Sequence, residues 1–120
     1  MSHLVSIKTR VTDVLAITAA CKRLGLTVPA QGTAKLYSGE ATGLLLQLPG
    51  WQYPVVIDTL SGTCVYDNYE GRWGDQAQLN RFLQVYAVEK AKQEARQQNL
   101  LVTEQDLEDG SIRLQITEAS

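Results

Sequence analysis

The sequence predicts an α+β fold, in which a single, mostly antiparallel β-sheet carries two helices packed on one face. Helical periodicity is confined to two segments, and alternating apolar residues with tight-turn signals mark most of the remaining chain. The expected order is β-α-β-β-β-β-α-β-β, which has too few helices to alternate with strands as a parallel sheet requires. The 120 residues are expected to form a single domain, 1–120.

The first predicted elements are a strand and a helix. Apolar and polar residues alternate over residues 3–11, which is typical of a half-buried strand. Apolar residues then recur at helical spacing over residues 13–24, after Thr12 and Asp13, which both favour the N-cap position. Gly25 is expected to end this helix in a left-handed conformation.

Four short strands separated by turns are expected next. The β-rich or alternating runs predict strands over residues 33–37, 44–48, 53–58 and 63–67. Turn-forming residues lie between them, at Ser38-Gly39-Glu40, Pro49-Gly50 and Ser61-Gly62. This segment therefore resembles a meander of antiparallel hairpins.

The second helix is expected between Asp75, which forms a capping-box pattern with Gln78, and Asn99. Its first half carries one apolar face, made of Leu79, Phe82, Leu83 and Tyr86. Its second half, residues 89–98, is highly polar and is therefore either solvent-exposed or directed toward a partner. Strands over residues 100–105 and 112–116 then flank Asp109-Gly110, a strong hairpin signal.

Charge and cysteine usage exclude several classes of function. The chain has 11 basic and 13 acidic residues, a net charge of -2, so we expect neither nucleic acid nor a membrane as a partner. The sequence shows no membrane-spanning run and no signal peptide, so we expect a cytoplasmic protein with reduced, buried Cys21 and Cys64. A zinc site needs about four Cys or His ligands. Two cysteines and His3 do not supply them, and we expect no metal and no cofactor.

Catalytic motifs are not apparent in the sequence. The one histidine, His3, lies near the N-terminus, far from any candidate nucleophile in sequence. Carboxylates remain as acid–base candidates, with Asp58, Asp67 and Asp75 near strand ends or the start of the second helix and Arg72 close in sequence. Such a cluster is either a site or a helix cap with a structural ion pair, and we predict no catalytic residue from it.

Aromatic residues are concentrated in one stretch of the chain. Of the eight aromatic residues, five fall within residues 51–73: Trp51, Tyr53, Tyr66, Tyr69 and Trp73. Between Leu36 and Gly71 there is no Lys or Arg, which disfavours single-stranded nucleic acid as a ligand. The aromatic side chains suit a protein interface, to which Arg72 would contribute, or they cover one end of the sheet as core. The sequence leaves both interpretations open.

Several segments of the chain carry a resemblance to a known family. They are Met1-Ser2-His3, Gly39-Glu40-Ala41-Thr42-Gly43, Leu48-Pro49-Gly50-Trp51, Tyr66-Asp67-Asn68-Tyr69 with Arg72-Trp73-Gly74, Tyr86-Ala87-Val88-Glu89-Lys90-Ala91 and Glu108-Asp109-Gly110-Ser111-Ile112. The chain resembles small uncharacterised bacterial proteins related to the hypothetical chloroplast reading frame thirty-five protein of algal plastids and cyanobacteria. The resemblance implies no activity or cofactor. It implies two partners, an ATPase of the AAA type and a second small protein.

Two hypotheses for function follow. In the first, the chain is an interaction module or accessory subunit that binds a protein partner, such as an AAA-type ATPase. In the second, it is an enzyme or small-ligand binder with a pocket between sheet and helix, lined by Asp58, Asp67, Arg72 and the tyrosines. A homodimer is compatible with both, because pairing is one way to protect the edges of an open sheet.

Overall fold

A computed structural model describes residues 4–118 and confirms the α+β class with antiparallel strand pairing. The main elements are β1 (Leu4–Lys8), α1 (Val14–Leu24), β2 (Ala30–Leu36), β3 (Gly39–Leu46), β4 (Val55–Asp58), β5 (Thr63–Asp67), α2 (Gln76–Gln97), β6 (Leu100–Asp106) and β7 (Ile112–Glu118). A short 3-10 helix, Tyr69–Gly71, lies between β5 and α2 and was not predicted. His3, where the first strand was expected to begin, lies outside the described residues.

The prediction of a single sheet is wrong. Five strands form one sheet in the order β1-β5-β4-β3-β2, while β6 and β7 form a separate two-stranded sheet. The cause is α2, whose 22 residues span about 33 Å and carry the chain away from the five-stranded sheet. Asn99, with φ 58°, then reverses the chain, so the β6–β7 hairpin folds back onto α2.

Both helices bury their apolar sides against the same cluster of residues. Ile17 of α1 and Phe82 of α2 are fully buried together with Ile57 and Cys64 of the sheet. A second, smaller cluster contains Val56, which points to the opposite face of the sheet from Ile57 because side chains alternate along a strand. The other members of this second cluster are Ala34 and Leu36, with the partly buried Ala41, Leu45, Tyr53 and Val65.

The predicted ends of α1 are confirmed. The Asp13 side chain caps the helix by accepting two backbone N–H groups of its first turn, and Gly25 ends it with φ 71°. The Tyr86 hydroxyl of α2 accepts the N–H groups of Thr12 and Asp13, both at 3.2 Å. The beginning of α1 is therefore fixed by a side chain of the second helix.

The strand β1 is shorter than predicted, because it ends at Lys8 rather than at residue 11. The N–H of Thr12 donates to the carbonyl of Arg10 at 2.9 Å, and this tight turn directs the chain into α1. Val11 is nevertheless 2% exposed, so the apolar residue that completed the predicted alternation contributes to the core from a loop.

Other strand boundaries also differ from the prediction. The first hairpin turn is Tyr37-Ser38, so β3 begins at Gly39 rather than at residue 44, whereas β2 ends at Leu36, one residue early, and begins at Ala30 rather than at residue 33. Leu48 is buried but follows the end of β3. The strand β4 begins after Pro54, which has no N–H to donate to the neighbouring strand. The boundaries of β5 match the prediction.

The polar second half of α2 packs within the protein rather than projecting freely. Ala95 is buried, and the Lys90 Nζ atom lies 2.9 Å from an Asp13 carboxylate oxygen at the start of α1. The Lys92 Nζ atom lies 2.9 Å from Glu104 in β6. This half of the helix therefore joins α1 to the β6–β7 hairpin. Neither α1 nor α2 is long and apolar enough to cross a membrane.

Candidate interaction site

The structure separates the predicted site residues into three groups. Trp51 and Tyr66 are buried on the helix side of the sheet, with ring centroids 5.7 Å apart in an edge-to-face arrangement. Asp58 lies at the end of β4, where its exposed carboxylate accepts the N–H of Leu60. The remaining residues belong to the loop after β5 or to the segments beside it: Tyr53, Asp67, Tyr69, Arg72 and Trp73.

Four aromatic rings converge at Trp73. Its ring centroid lies 5.0 Å from that of Tyr37, 5.6 Å from that of Tyr53 and 4.8 Å from that of Tyr69. We call these residues the Trp73 cluster. Tyr37 is 62% exposed, whereas the other three side chains are half-buried. Since Tyr53 also packs against the second apolar cluster of the sheet, the Trp73 cluster extends that apolar face to the protein surface.

A positive charge lies at the rim of the Trp73 cluster. The guanidinium carbon of Arg72 lies 4.8 Å from the centroid of the Tyr69 ring, within the range of a cation–π interaction. Arg72 itself is exposed. The surface therefore combines aromatic area with a guanidinium group that still has donors available to solvent or to a partner.

Asn68 organises the loop that positions Trp73. Its backbone carbonyl accepts the N–H of Gly71 at 3.0 Å and that of Trp73 at 2.9 Å. Its buried side-chain amide donates to Gln76 Oε1, in the first turn of α2, at 3.1 Å. The loop is therefore held between the end of β5 and the start of α2.

The same loop contains consecutive residues with left-handed backbone conformations. Tyr69 has φ 46°, Glu70 has φ 54° and Gly71 has φ 96°. Only the glycine adopts this region without steric cost, and a non-glycine residue there is disfavoured by about 1–2 kcal/mol. Two non-glycine residues beside the aromatic surface therefore have a disfavoured backbone conformation.

Trp51 fixes the other end of the loop to the core. Its indole Nε1–H donates to the carbonyl of Asp75 at 3.0 Å, at the N-cap of α2. Gly74 packs flat against the indole, because a Cβ atom at this position would lie 2.3 Å from a ring atom. Trp51 is thus a structural residue, and its link to the site is through the position of the loop.

Asp67 is the exceptional polar residue of the site. It is fully buried, and neither carboxylate oxygen has a hydrogen-bond partner among the described residues. A buried carboxylate without a donor is costly, because it loses its hydration without compensation. Because side chains alternate along a strand, Asp67 and Val65 lie on the same face of β5. Tyr53 packs against the apolar cluster on this face of the sheet.

The residues that were expected to line a carboxylate–arginine pocket do not lie together in the structure. Asp58 pairs with Thr63, at the opposite end of β5 from Asp67, about 13 Å away along the strand. The Arg72 guanidinium lies over Tyr69 and makes no hydrogen bond to Asp67. Asp75, the third carboxylate considered, caps α2 by accepting the N–H of Ala77.

Buried thiols and metal ligands do not form a second site in the described part of the chain. Cys21 and Cys64 are free and buried, as predicted, and burial raises the pKa of the Cys21 thiol to about 11. Burial also raises the pKa of Cys64. Within residues 4–118, no three His, Cys, Asp or Glu residues lie close enough to hold a metal ion.

Sequence reasoning did not identify Tyr37 and Asn68 as site residues. Tyr37 lies outside the aromatic-rich stretch and reaches it only because β2 and β3 form a long hairpin. The available signal was an aromatic residue directly before the predicted turn. Asn68 gave no separate signal, because its role depends on the loop conformation.

The arrangement combines Trp, Tyr and Arg, which are the residue types most enriched at the energetic centres of protein interfaces. The rings are held by packing and the loop by backbone hydrogen bonds, so little ordering is required on binding.

Comparisons with protein-family models, curated proteins and solved structures found no match for this chain.

Proposed function

We propose that the protein is a non-catalytic interaction module that binds a protein partner through the Trp73 cluster and Arg72. The observation that carries the proposal is the convergence of four aromatic rings at the surface, with a guanidinium at their rim. Large, rigid aromatic side chains bury much apolar area at a small entropic cost, and Arg adds directional hydrogen bonds.

The conformation of the loop supports this proposal. Tyr69 and Glu70 have left-handed backbone conformations. Non-glycine residues adopt such conformations only where the surrounding structure imposes them, and they are concentrated at binding and active sites. Here they place Tyr69 against Trp73 and beneath Arg72. The fully buried Asp67 at the base of the loop adds a second local cost. Both features are understandable if the loop is shaped for binding rather than for stability.

The proposed partners come from the sequence resemblance. We propose that the chain is related to the small uncharacterised bacterial proteins that it resembles, those related to the hypothetical chloroplast reading frame thirty-five protein. The first candidates are then an ATPase of the AAA type and a second small protein, bound in the cytoplasm. The net charge of -2 and the lack of Lys or Arg between Leu36 and Gly71 support a protein rather than nucleic acid or a membrane as the partner.

The test is a pull-down of the tagged chain from its native host, with and without ATP, followed by a binding measurement with the purified ATPase. We expect Tyr37→Ala and Arg72→Ala to weaken binding by about 10-fold or more each, because a side chain at an interface centre contributes about 1–2 kcal/mol or more. Leu60→Ala is the matched control, since Leu60 is 96% exposed in the hairpin beside Asp58, at the other end of β5.

Thermal unfolding of each variant separates binding from folding. Tyr37→Ala should keep the Tm of the natural chain within a few degrees, because the side chain is largely exposed. Unchanged binding by both variants would contradict the proposal. Loss of the folded state in Tyr37→Ala would show instead that the Trp73 cluster is part of the core.

A further inference from the structure

The β6–β7 hairpin is a two-stranded sheet with an uncovered outer strand. It packs on α2 mainly through β6, and two strands alone are only marginally stable. Lys92 of α2 reaches Glu104, which identifies the sheet face that is turned toward the helix. Ile116 shares this face, since it pairs with Val102, yet it is 48% exposed. Its apolar side chain therefore lies beyond the reach of the helix.

The backbone of β7 is also available for pairing. The N–H of Leu107 donates to the carbonyl of Ser111 at 2.9 Å, which sets the pattern of alternating hydrogen bonds between the two strands. By that alternation, the backbone groups of Ile112, Leu114 and Ile116 point away from β6. The three residues with apolar side chains on the helix-facing side are thus the residues whose backbone groups face outward.

We infer that β7 pairs antiparallel with β7 of a second copy, centred on Leu114. This pairing extends the hairpin into a four-stranded sheet of order β6-β7-β7-β6. It places Leu114 opposite the partner's Leu114 and Ile112 opposite the partner's Ile116. Apolar cross-strand pairs of this kind stabilise antiparallel sheets.

A second copy fits this edge because the apolar residues are spaced symmetrically about Leu114, at positions 112, 114 and 116. A two-fold axis through the Leu114 pair runs perpendicular to the sheet, so both α2 helices lie on the same side of the four-stranded sheet. Arg113 lies opposite the partner's Gln115, and no like charges face each other within residues 112–116. The interface is therefore compatible in charge as well as in apolar pattern.

On the helix-facing side of the hairpin, β6 carries Glu104, whereas residues 112–116 of β7 carry only apolar side chains. Glu104 in β6 forms ion pairs with Arg23 and with Lys92, which lie 2.8 and 2.9 Å away. Charged residues at a sheet edge discourage further strand pairing. The corresponding residue across the ladder is Leu114. The asymmetry leaves β7 as the edge that accepts another strand.

The size of the contact predicts a weak dimer. Seven residues of β7 span about 23 Å, and pairing along this length buries less than the about 1,200 Å² typical of stable complexes. We therefore expect monomer and dimer to interconvert with concentration. This inference is independent of the partner proposed for the Trp73 cluster.

The first test is sedimentation equilibrium of the full chain over a wide concentration range. We expect a monomer–dimer equilibrium that Ile116→Lys weakens by about tenfold or more, because the new charge is desolvated at the paired edge. Thr117→Lys is the matched control, since its side chain lies on the other face of the same strand and opposite the partner's Ser111, and it should dimerise nearly as the natural chain does. A natural chain that remains monomeric throughout, or dimers that persist in Ile116→Lys, would overturn the inference.

The second test is disulfide cross-linking of Leu114→Cys. Hydrogen-bonded antiparallel pairs have Cα atoms about 5.5 Å apart, within the range that a disulfide spans. Mild oxidation should therefore give a covalent dimer, while Thr103→Cys on the other face of β6 should stay monomeric. The natural Cys21 and Cys64 are buried and should not react. Equal cross-linking of the two variants would overturn the assigned register.

Discussion

Arg23 and Glu104 form a bidentate ion pair, in which Arg23 Nη1 lies 2.9 Å from Glu104 Oε1 and Arg23 Nη2 lies 2.8 Å from Glu104 Oε2. It links the last turn of α1 to β6 across more than half of the sequence. Lys92 reaches the same carboxylate from α2. Hydrogen bonds from Arg23 and then Lys92 lower the pKa of Glu104 from its ordinary value of 4.5 to about 2.

The pairing of Glu104 predicts an acid-sensitive contribution to stability. Because the folded-state pKa lies below the unfolded value, the contribution is present above pH 4.5 and is lost as the pH falls toward 2. Glu104→Gln should lower the free energy of unfolding by about 1 kcal/mol at pH 7, and the difference should shrink toward pH 2. Urea unfolding across this pH range measures both values.

A suitable control is Glu108→Gln, which removes an exposed carboxylate from the turn of the same hairpin. Its stability should follow that of the natural chain at every pH. An effect of Glu104→Gln that is the same at pH 7 and at pH 2 would contradict the assigned role of the ion pair.

Asp67→Asn should stabilise the isolated chain. The substitution keeps the shape of the side chain and removes a buried carboxylate that has no hydrogen-bond partner among the described residues, so we expect a gain of about 1–2 kcal/mol. Thermal and urea unfolding at pH 7 provide the measurement. Asp58→Asn serves for comparison, because its exposed carboxylate accepts the N–H of Leu60 and its loss should be neutral or slightly destabilising. A less stable Asp67→Asn protein would show that the carboxylate is favourably solvated or paired.

Gly74→Ala should be strongly destabilising. Its Cβ atom would lie 2.3 to 2.6 Å from three atoms of the Trp51 indole, which is buried and cannot move aside. We expect a loss of about 2–3 kcal/mol, with a change in the near-ultraviolet circular dichroism of the tryptophans. Gly39→Ala, whose Cβ atom meets nothing within 4 Å, should change the free energy of unfolding little. Similar stability for the two variants would refute the close contact.

Local sequence signals predicted the separate elements well. The Ser61-Gly62 turn and the apolar pattern after it placed β5 at its observed boundaries, and Asp13 with Gly25 placed the ends of α1. These features depend on contacts within a few residues, so they are readable in a single sequence.

Features that depend on distant contacts were not predictable in the same way. The length of α2 could be read from the sequence, but its direction relative to the sheet determines that β6 and β7 form a sheet of their own. Burial of Asp67 likewise depends on the loop folding over the end of β5, although an aspartate at a strand end is ordinarily exposed. The aromatic-rich stretch was informative, yet it divided into core residues such as Trp51 and surface residues such as Trp73 only in three dimensions.

The helix α2 begins directly after the loop that carries Trp73 and ends directly before β6, so it separates the two proposed contact surfaces by a fixed length. A stiff spacer of this kind makes bivalent binding selective for geometry. A dimer joined through β7 would present two Trp73 clusters at a set spacing, and avidity would arise only with a partner whose own repeated sites match that spacing. A ring of identical subunits has such repeated sites, whereas a monomeric partner would bind each cluster separately.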